Sequence, residues 1–393
     1  MTQELNKRMM ELCQMHNSDI FDYNFLWNKC RNGALSYINN LTGSEPWIFC
    51  VSKTAEQPIA IASATVMLIL SFLEKTDDIP DDVKNDWLMY LKSFQQEDGL
   101  FEDAVDMAEG TQGYPRWALR AHRSRHIAWA IEALGGKIKY PIKFVEPFTK
   151  KGEIEKWFEK LWAENIDRIW AMSNWIMDMG TLLDLQHRHF HDSNAYTAIE
   201  TILTLLDKKQ DSSTGYWLQQ GTDLRCAMAG AMHFYPLYWA YGHKLNYFDK
   251  AIETTLSLQQ PDGLFGFESG LGGCQCLDYD AMLILTNGYF KLGNHRQDIS
   301  KACKQVIGEI MIDHLPDGSF CDSQIDEIRY WTTKAAVYNA NGGSLWDTYA
   351  RLMTIAMCIE ILTFQPPRPM HSEHHLFEIF HAGHGWSKGM RLI

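Results

Sequence analysis

Positive charge is what this chain has too little of. Its 36 Lys and Arg face 49 Asp and Glu, a formal net charge of -13. Gripping a phosphate backbone takes clustered Lys and Arg, so nucleic acid is excluded as a partner and an anionic membrane surface is disfavoured. Long apolar runs are missing too. The longest, near Ile59–Leu73, is broken by Ser63, Thr65 and Ser71 and is short for a bilayer, so it reads as a buried helix and no transmembrane segment is expected. The start, Met1-Thr2-Gln3-Glu4-Leu5-Asn6-Lys7, has no apolar signal core. No strand–Gly-loop–helix phosphate motif and no Gly-x-Ser-x-Gly elbow occurs, which removes support for nucleotide binding and serine-hydrolase chemistry. The nine Cys form an odd count without a framework, and Cys274-Gln275-Cys276 is too closely spaced for a CxxC pair. Reduced thiols in a cytoplasmic protein are the expectation. No run of alternating β-branched residues points to a sheet.

What is present is helical and aromatic. The chain is 46% hydrophobic, with 14 Trp, 16 Tyr and 19 Phe, enough for a large core or for a cavity walled by ring faces. Its 393 residues allow two or three domains, or one ring of helix pairs, which grows without a single spherical core. Residues 1–20 are polar and are expected to cover a surface. Then come six pairs: 21–38 with 55–73, 81–96 with 117–134, 153–165 with 166–185, 192–207 with 223–241, 247–260 with 278–292, and 298–314 with 346–362. The first of each pair is amphipathic and the second more evenly apolar, as for outer and inner helices of a closed ring. The expected fold is all-α, a single (α/α)6 toroid over residues 21–363, followed by a His-rich tail, 364–393, packed on it.

A turn recurs between the members of these pairs. It is clear at Gln95-Gln96-Glu97-Asp98-Gly99-Leu100-Phe101 and Gln259-Gln260-Pro261-Asp262-Gly263-Leu264-Phe265, partial at His314–Phe320 and degenerate at Gln210–Trp217. Gly can take the positive φ that ends a helix, Asp can bond its own turn, and the aromatic can plug the gap between helices. This Gln-x-x-Asp-Gly-(Leu/Ser)-Phe unit resembles the repeat of the terpenoid cyclase and protein prenyltransferase superfamily, which also occurs in carbohydrate-active toroids. The resemblance implies an α/α toroid. Asp278-Tyr279-Asp280-Ala281-Met282 resembles the acidic patch of class II terpene cyclases, in which an Asp opening an inner helix protonates an alkene or epoxide. The resemblance puts Asp278 in that role, although the family's Asp-x-Asp-Asp-Thr is not matched beyond Asp280. The segment is also similar to the Asp-x-Cys zinc pair of prenyltransferases, but Trp346-Asp347-Thr348-Tyr349-Ala350 offers no third-ligand His, so that metal site is not expected.

If the inner helices run parallel, their N-termini share one end of the ring and converge on one chamber. Candidate catalytic residues are Asp278, Asp280 and Asp347. Candidate substrate-binding residues are Arg116, Trp117, His122, Arg123, His126, Asn174, Asp223, Arg225, Trp346, Tyr349 and Arg351, with Glu56 and Gln57 in the same band. Two carboxylates in a dry cavity split their pKa values, so one can hold a proton and act as an acid. The other reading makes Asp278 an N-cap and pairs Asp280 with an Arg such as Arg225 or Arg351. His187, His189 and His191 precede Asp192 in what reads as an extended segment at the opposite end, an anchor rather than a metal site. The tail holds His371, His374, His375, His381 and His384 with Trp386; it is either a surface segment or a cover over the chamber mouth. No cofactor is demanded, and a divalent metal is left open. Expected partners are small molecules, an isoprenoid or an acidic sugar. The expected activity is acid-initiated cyclisation or isomerisation of an isoprenoid, the alternative being a carbohydrate-active hydrolase, lyase or epimerase with paired carboxylates.

Overall fold

The computed structural model describes residues 22–107 and 114–363. The expectations for residues 1–20 and for the His-rich tail lie outside that range. Six helices form the inner ring: α2 (Ala60–Phe72), α5 (Arg116–Ala133), α7 (Ile169–Phe190), α9 (Leu224–Ala240), α11 (Gln275–Lys291) and α13 (Leu345–Thr363). Each packs on the next, and α13 packs back on α2, which closes the circle. The outer helices are α1 (Tyr23–Asn39), α3 (Asp81–Ser93), α6 (Glu153–Asn165), α8 (Ser193–Lys209), α10 (Phe248–Ser257) and α12 (Arg296–Ile310). A short α4 (Ala104–Met107) lies ahead of α5. The protein is therefore an all-α toroid of six outer–inner pairs. Among the described residues no helix is long and apolar enough to cross a membrane.

Burial explains the two helix types. An inner helix has neighbours on every side, so α2, Ala-Ile-Ala-Ser-Ala-Thr-Val-Met-Leu-Ile-Leu-Ser-Phe, is apolar around its whole circumference and almost wholly buried. Its first turn has no local cap; Asp103 accepts the Ala60 N–H at 2.8 Å from across the chain. Outer helices keep one polar face. Asp192 caps α8 and Asp223 caps α9, each accepting two backbone N–H groups of the first turn.

The recurring turns are staples. Gln95 donates through Nε2 to the carbonyls of Gly99 and Tyr140, both at 2.9 Å, and accepts the N–H groups of Lys139 and Tyr140. Gln259 spans Gly263 and Ala302, and Gln210 spans Gly215 and Asn246, in the same way. Gly99, at φ +88°, is obligatory on two counts: a Cβ there would lie 2.3 Å from the Pro141 carbonyl oxygen. The aromatic N–H that follows is caught by an inner helix, Phe101 by Ser124 Oγ (2.7 Å), Phe320 by Thr348 Oγ1 (3.1 Å) and Phe265 by Asp278 Oδ1 (2.7 Å).

One antiparallel hairpin departs from the sheet-free expectation. β1 (Ile328–Tyr330) pairs with β2 (Val337–Asn339) in the long connection before α13. It is too short to register as a pattern in the sequence.

Candidate active site in the ring centre

A cavity of about 400 Å³ occupies the centre, within the size range of small-molecule sites. Each inner helix that reaches it does so along a single stripe. From α11 come Cys276, Tyr279, Asp280 and Leu283; from α5, His122, Arg125, His126 and Trp129; from α7, Trp170, Asn174 and Met177; from α13, Trp346, Ala350 and Met353. These are i, i+3, i+4, i+7 spacings, the positions of one helix face. α9 adds Met232, His233, Pro236 and Trp239. The hairpin folds over the same chamber and supplies Arg329, Tyr330, Trp331 and Tyr338.

Two carboxyl groups, Asp280 and Asp322, line this space. Asp280 is 2% exposed, and its Oδ2 has no hydrogen-bond partner. Burial, reinforced by the charge of Asp278, pushes its pKa well above the usual carboxylate range. That direction favours the protonated acid, which sits against an aromatic wall.

Asp278, expected as the acid, is placed elsewhere. Residues two apart on a helix point about 200° away from each other, so Asp278 turns from the cavity into the seam between helices. Both it and Arg351 are fully buried, with Oδ2 2.6 Å from Arg351 Nη1. Its other oxygen holds the Phe265 N–H, the role that Ser124 and Thr348 fill in sister repeats. The pairing expected for Asp280 with Arg351 is therefore made by Asp278. Arg351 also meets Asp313 at 3.0 Å and donates to the carbonyls of Gly272 and Asp322. One guanidinium cannot neutralise two buried acids. Asp278 has the shorter contact and a backbone donor, and burial pushes Asp313 up to about 7.

Of the other expected residues, His122, His126, Asn174 and Trp346 line the cavity. The rest do not. Asp347 is sealed away, accepting from Ser344 Oγ at 2.7 Å. Tyr349 meets Phe72 on the α2 side. Trp117 packs outward on Phe144, Trp157 and Trp175. Arg116 is exposed and paired with Glu102. Asp223 is spent as a cap. Arg225 ties the carbonyls of Gly266 and Leu258 together. Glu56 and Gln57 are exposed. Arg123 lies one layer back: it grips Asp106 (2.6 Å), donates to the Trp331 carbonyl, and carries the Trp331 ring at 4.7 Å.

α7 runs through Phe190, so the segment of His187 and His189 is helical rather than extended, and His191 ends it in the left-handed region. His189 pairs with Glu132 at 2.9 Å and His187 bonds the Asp192 carbonyl, at the end away from the cavity-lining turns of α7. Asp249, Glu253 and His295 could surround an ion, but they sit partly exposed on α10 and at the start of α12, not at the ring centre. The eight described cysteines are unpaired.

The sequence reading passed over Arg125, Asp178, His233, Asp322 and the hairpin. Arg125 was legible: His122, Arg125, His126 and Trp129 share one face, whereas Arg123 points about 100° off it. Asp178, fully buried, lies 3.0 Å from Arg125 Nη1 and 3.5 Å from His122 Nδ1. Burial lowers the pKa of both His122 and His233, so these rings are neutral in the folded chain. Trp331 stacks on Trp346, centroids 4.7 Å apart and planes 14° apart, and roofs His122 and His126. No periodic signal in the sequence announces that roof.

No protein-family profile and no curated protein matches the chain. Among solved structures, it is similar to a variant of the type II terpene cyclase MstE from Scytonema in complex with geranylgeranyl dihydroxybenzoate, at 12% identity over 86% of this chain and 98% of that one, TM-score 0.49. It is similar as well to a family 88 glycosyl hydrolase from Bacteroides vulgatus (12%, 85% and 99%, 0.46) and to a polysaccharide lyase (12%, 85% and 97%, 0.45).

Proposed function

We propose that the chain is an enzyme that cyclises or isomerises an isoprenoid by protonating a carbon–carbon double bond, with Asp280 as the acid. The observation that carries this is the buried Asp280 carboxyl, its Oδ2 without a hydrogen-bond partner, in a chamber lined by aromatic side chains. Proton transfer from its oxygen to an alkene carbon leaves a tertiary carbocation. Tyr279, Trp170 and Trp346 line the chamber, and a ring face turned to that cation attracts it through its negative quadrupole, an attraction that grows as water is excluded. The upward pKa shift favours the loaded acid, and the carboxylate left behind attracts the cation strongly in a low dielectric.

The carbohydrate reading has one observation in its favour: Arg125, His122 and His126 on one wall suit an acidic sugar. As a glycoside hydrolase, however, it would need two available carboxyl groups. The second on this cavity, Asp322, is held by Arg329 and by the Gln275 N–H. Incubation with linear isoprenoid alcohols and diphosphates of several chain lengths, followed by gas chromatography–mass spectrometry, tests the proposal. A cyclic or double-bond-shifted isomer is expected, lost by at least ~10²-fold in Asp280→Asn. No isomer from any chain length, alongside turnover of an acidic oligosaccharide, would replace this reading with its rival.

A further inference from the structure

An acid that starts a cation cascade needs a partner to end it. A carbocation in a closed chamber is neutralised by water, giving an alcohol, or by a base that takes a proton from the neighbouring carbon, giving an alkene. His233 has the geometry of that base. Its Nδ1 lies 2.8 Å from Ser173 Oγ. Ser173 Oγ also lies 2.8 Å from the Trp170 carbonyl oxygen, which can only accept, so the single hydroxyl hydrogen is committed there. Ser173 must then accept from His233, which places the imidazole hydrogen on Nδ1 and leaves a lone pair on Nε2. No described group bonds Nε2, and the ring lines the cavity.

We propose that His233 Nε2 is the terminal base of the reaction, an inference that rests on the isoprenoid reading above. The steps balance. The Asp280 O–H bond breaks as a C–H bond forms at the alkene. Ring closure or shift relocates the cation. Nε2 takes a proton from the carbon beside it, and that C–H electron pair becomes the new double bond. The enzyme then holds an imidazolium and a carboxylate, one charge of each sign, and returns the proton to Asp280 before the next turnover. Product and substrate are isomers.

The low basicity of His233 is no obstacle. Burial and the nearby charge of Arg125 depress its pKa, which keeps Nε2 unprotonated at neutral pH. A carbocation is so strong an acid that even a weak base deprotonates it. An imidazole whose pKa lay above the working pH would enter the reaction already protonated and could not act.

The test uses the linear isoprenoid that the wild-type chain converts, with His233→Asn and His233→Phe. Asn can keep the N–H toward Ser173 while lacking the second nitrogen; Phe fills the ring's volume. Circular dichroism identifies whichever variant folds. Initial substrate consumption should fall only modestly, while the wild-type alkene should drop by ~10²-fold or more, replaced by a water-quenched alcohol or a different double-bond isomer. The same alkene at the same rate and share from a folded variant overturns the assignment while leaving Asp280 in its role. Failure of the wild-type chain to form any isomer is a separate result: it removes the isoprenoid reading, and this inference with it.

Discussion

Asp278 and Asp280 stand two residues apart, yet their conversion to Asn should have opposite consequences. Asp278 has charge-assisted bonds to Arg351 Nη1 at 2.6 Å and to the Phe265 N–H at 2.7 Å, and both Asp278 and Arg351 are fully buried. Breaking a buried ion pair costs about 3–5 kcal/mol. Arg351 keeps Asp313 as a counter-charge, so Asp278→Asn should fall at the low end, about 3 kcal/mol. A fall of about 4 °C in melting temperature would follow, at roughly 1.2 °C per kcal/mol for a chain of this length. Burial and the charge of Asp278 favour the neutral form of Asp280, and its Oδ2 bonds nothing. Where the unfolded carboxyl is ionised, its raised folded pKa costs the native state free energy that an amide of the same shape does not, so Asp280→Asn should leave stability little changed at about pH 4 and raise it toward neutral pH. Thermal and denaturant unfolding of the two variants, run beside product assays, separates the roles: Asp278→Asn loses stability and keeps turnover in its folded fraction, and Asp280→Asn does the reverse. Equal melting of Asp278→Asn and wild type, or an equal loss in both variants, would refute the division of labour between latch and acid.

Two further outcomes follow from the surrounding groups. Asp313 is raised to about 7 by burial, above an unfolded value near 4. Its contribution is therefore fully present below about pH 4 and is lost as pH rises through about 7, by at most ~4 kcal/mol. Unfolding free energies of wild type minus Asp313→Asn, measured from pH 5 to 8, should fall with pH; a flat difference would sink the account of Arg351 shared between two acids. Trp331→Ala removes the roof that stacks on Trp346 and rests on Arg123. Because Trp331 is only half-buried, the cost should be less than the ~3–5 kcal/mol of a fully buried Trp→Ala. Binding of an apolar fluorescent dye to the folded chain should rise, and unchanged dye binding would mean that the hairpin does not close the chamber.

The six helix pairs, their order and the turns that join them were readable because each rests on local physics. Apolar periodicity separates outer from inner helices, and Gln–Asp–Gly–Phe spacing marks a staple whose hydrogen bonds are mostly within the turn or to one neighbour. The site was harder to read. Arg116, Arg225 and Asp223 lie at the right end of the ring but point into loops or caps, because proximity to an inner N-terminus says nothing about which way a side chain faces. Arg123 and Arg125 are both buried and both paired, one behind Trp331 and the other on the cavity wall, and only the helical phase tells them apart. The hairpin could not be read at all: its place over the chamber is set by long-range contacts, such as Arg123 to the Trp331 carbonyl, between residues 208 positions apart.

An inner helix of such a ring buries two kinds of face, and polar residues on them answer to different demands. On the seams between helices a charge is held only if its partners are close; Asp278 with Arg351, and Arg123 with Asp106, meet that demand at 2.6 Å each. On the face toward the axis, Asp280 and His233 each keep an atom without a bond in the described structure. A buried polar atom left unbonded, as Asp280 Oδ2 is, costs about 1–3 kcal/mol, and an apolar residue of similar volume there would relieve that cost. Departures from the best-packed choice concentrate where a molecule must be handled. In the proposed reaction the two that face this chamber differ in kind, a loaded acid and an empty base. Storage of one proton and a vacancy for another across the same 400 Å³ is an arrangement suited to moving a hydrogen within a substrate rather than to holding the ring together.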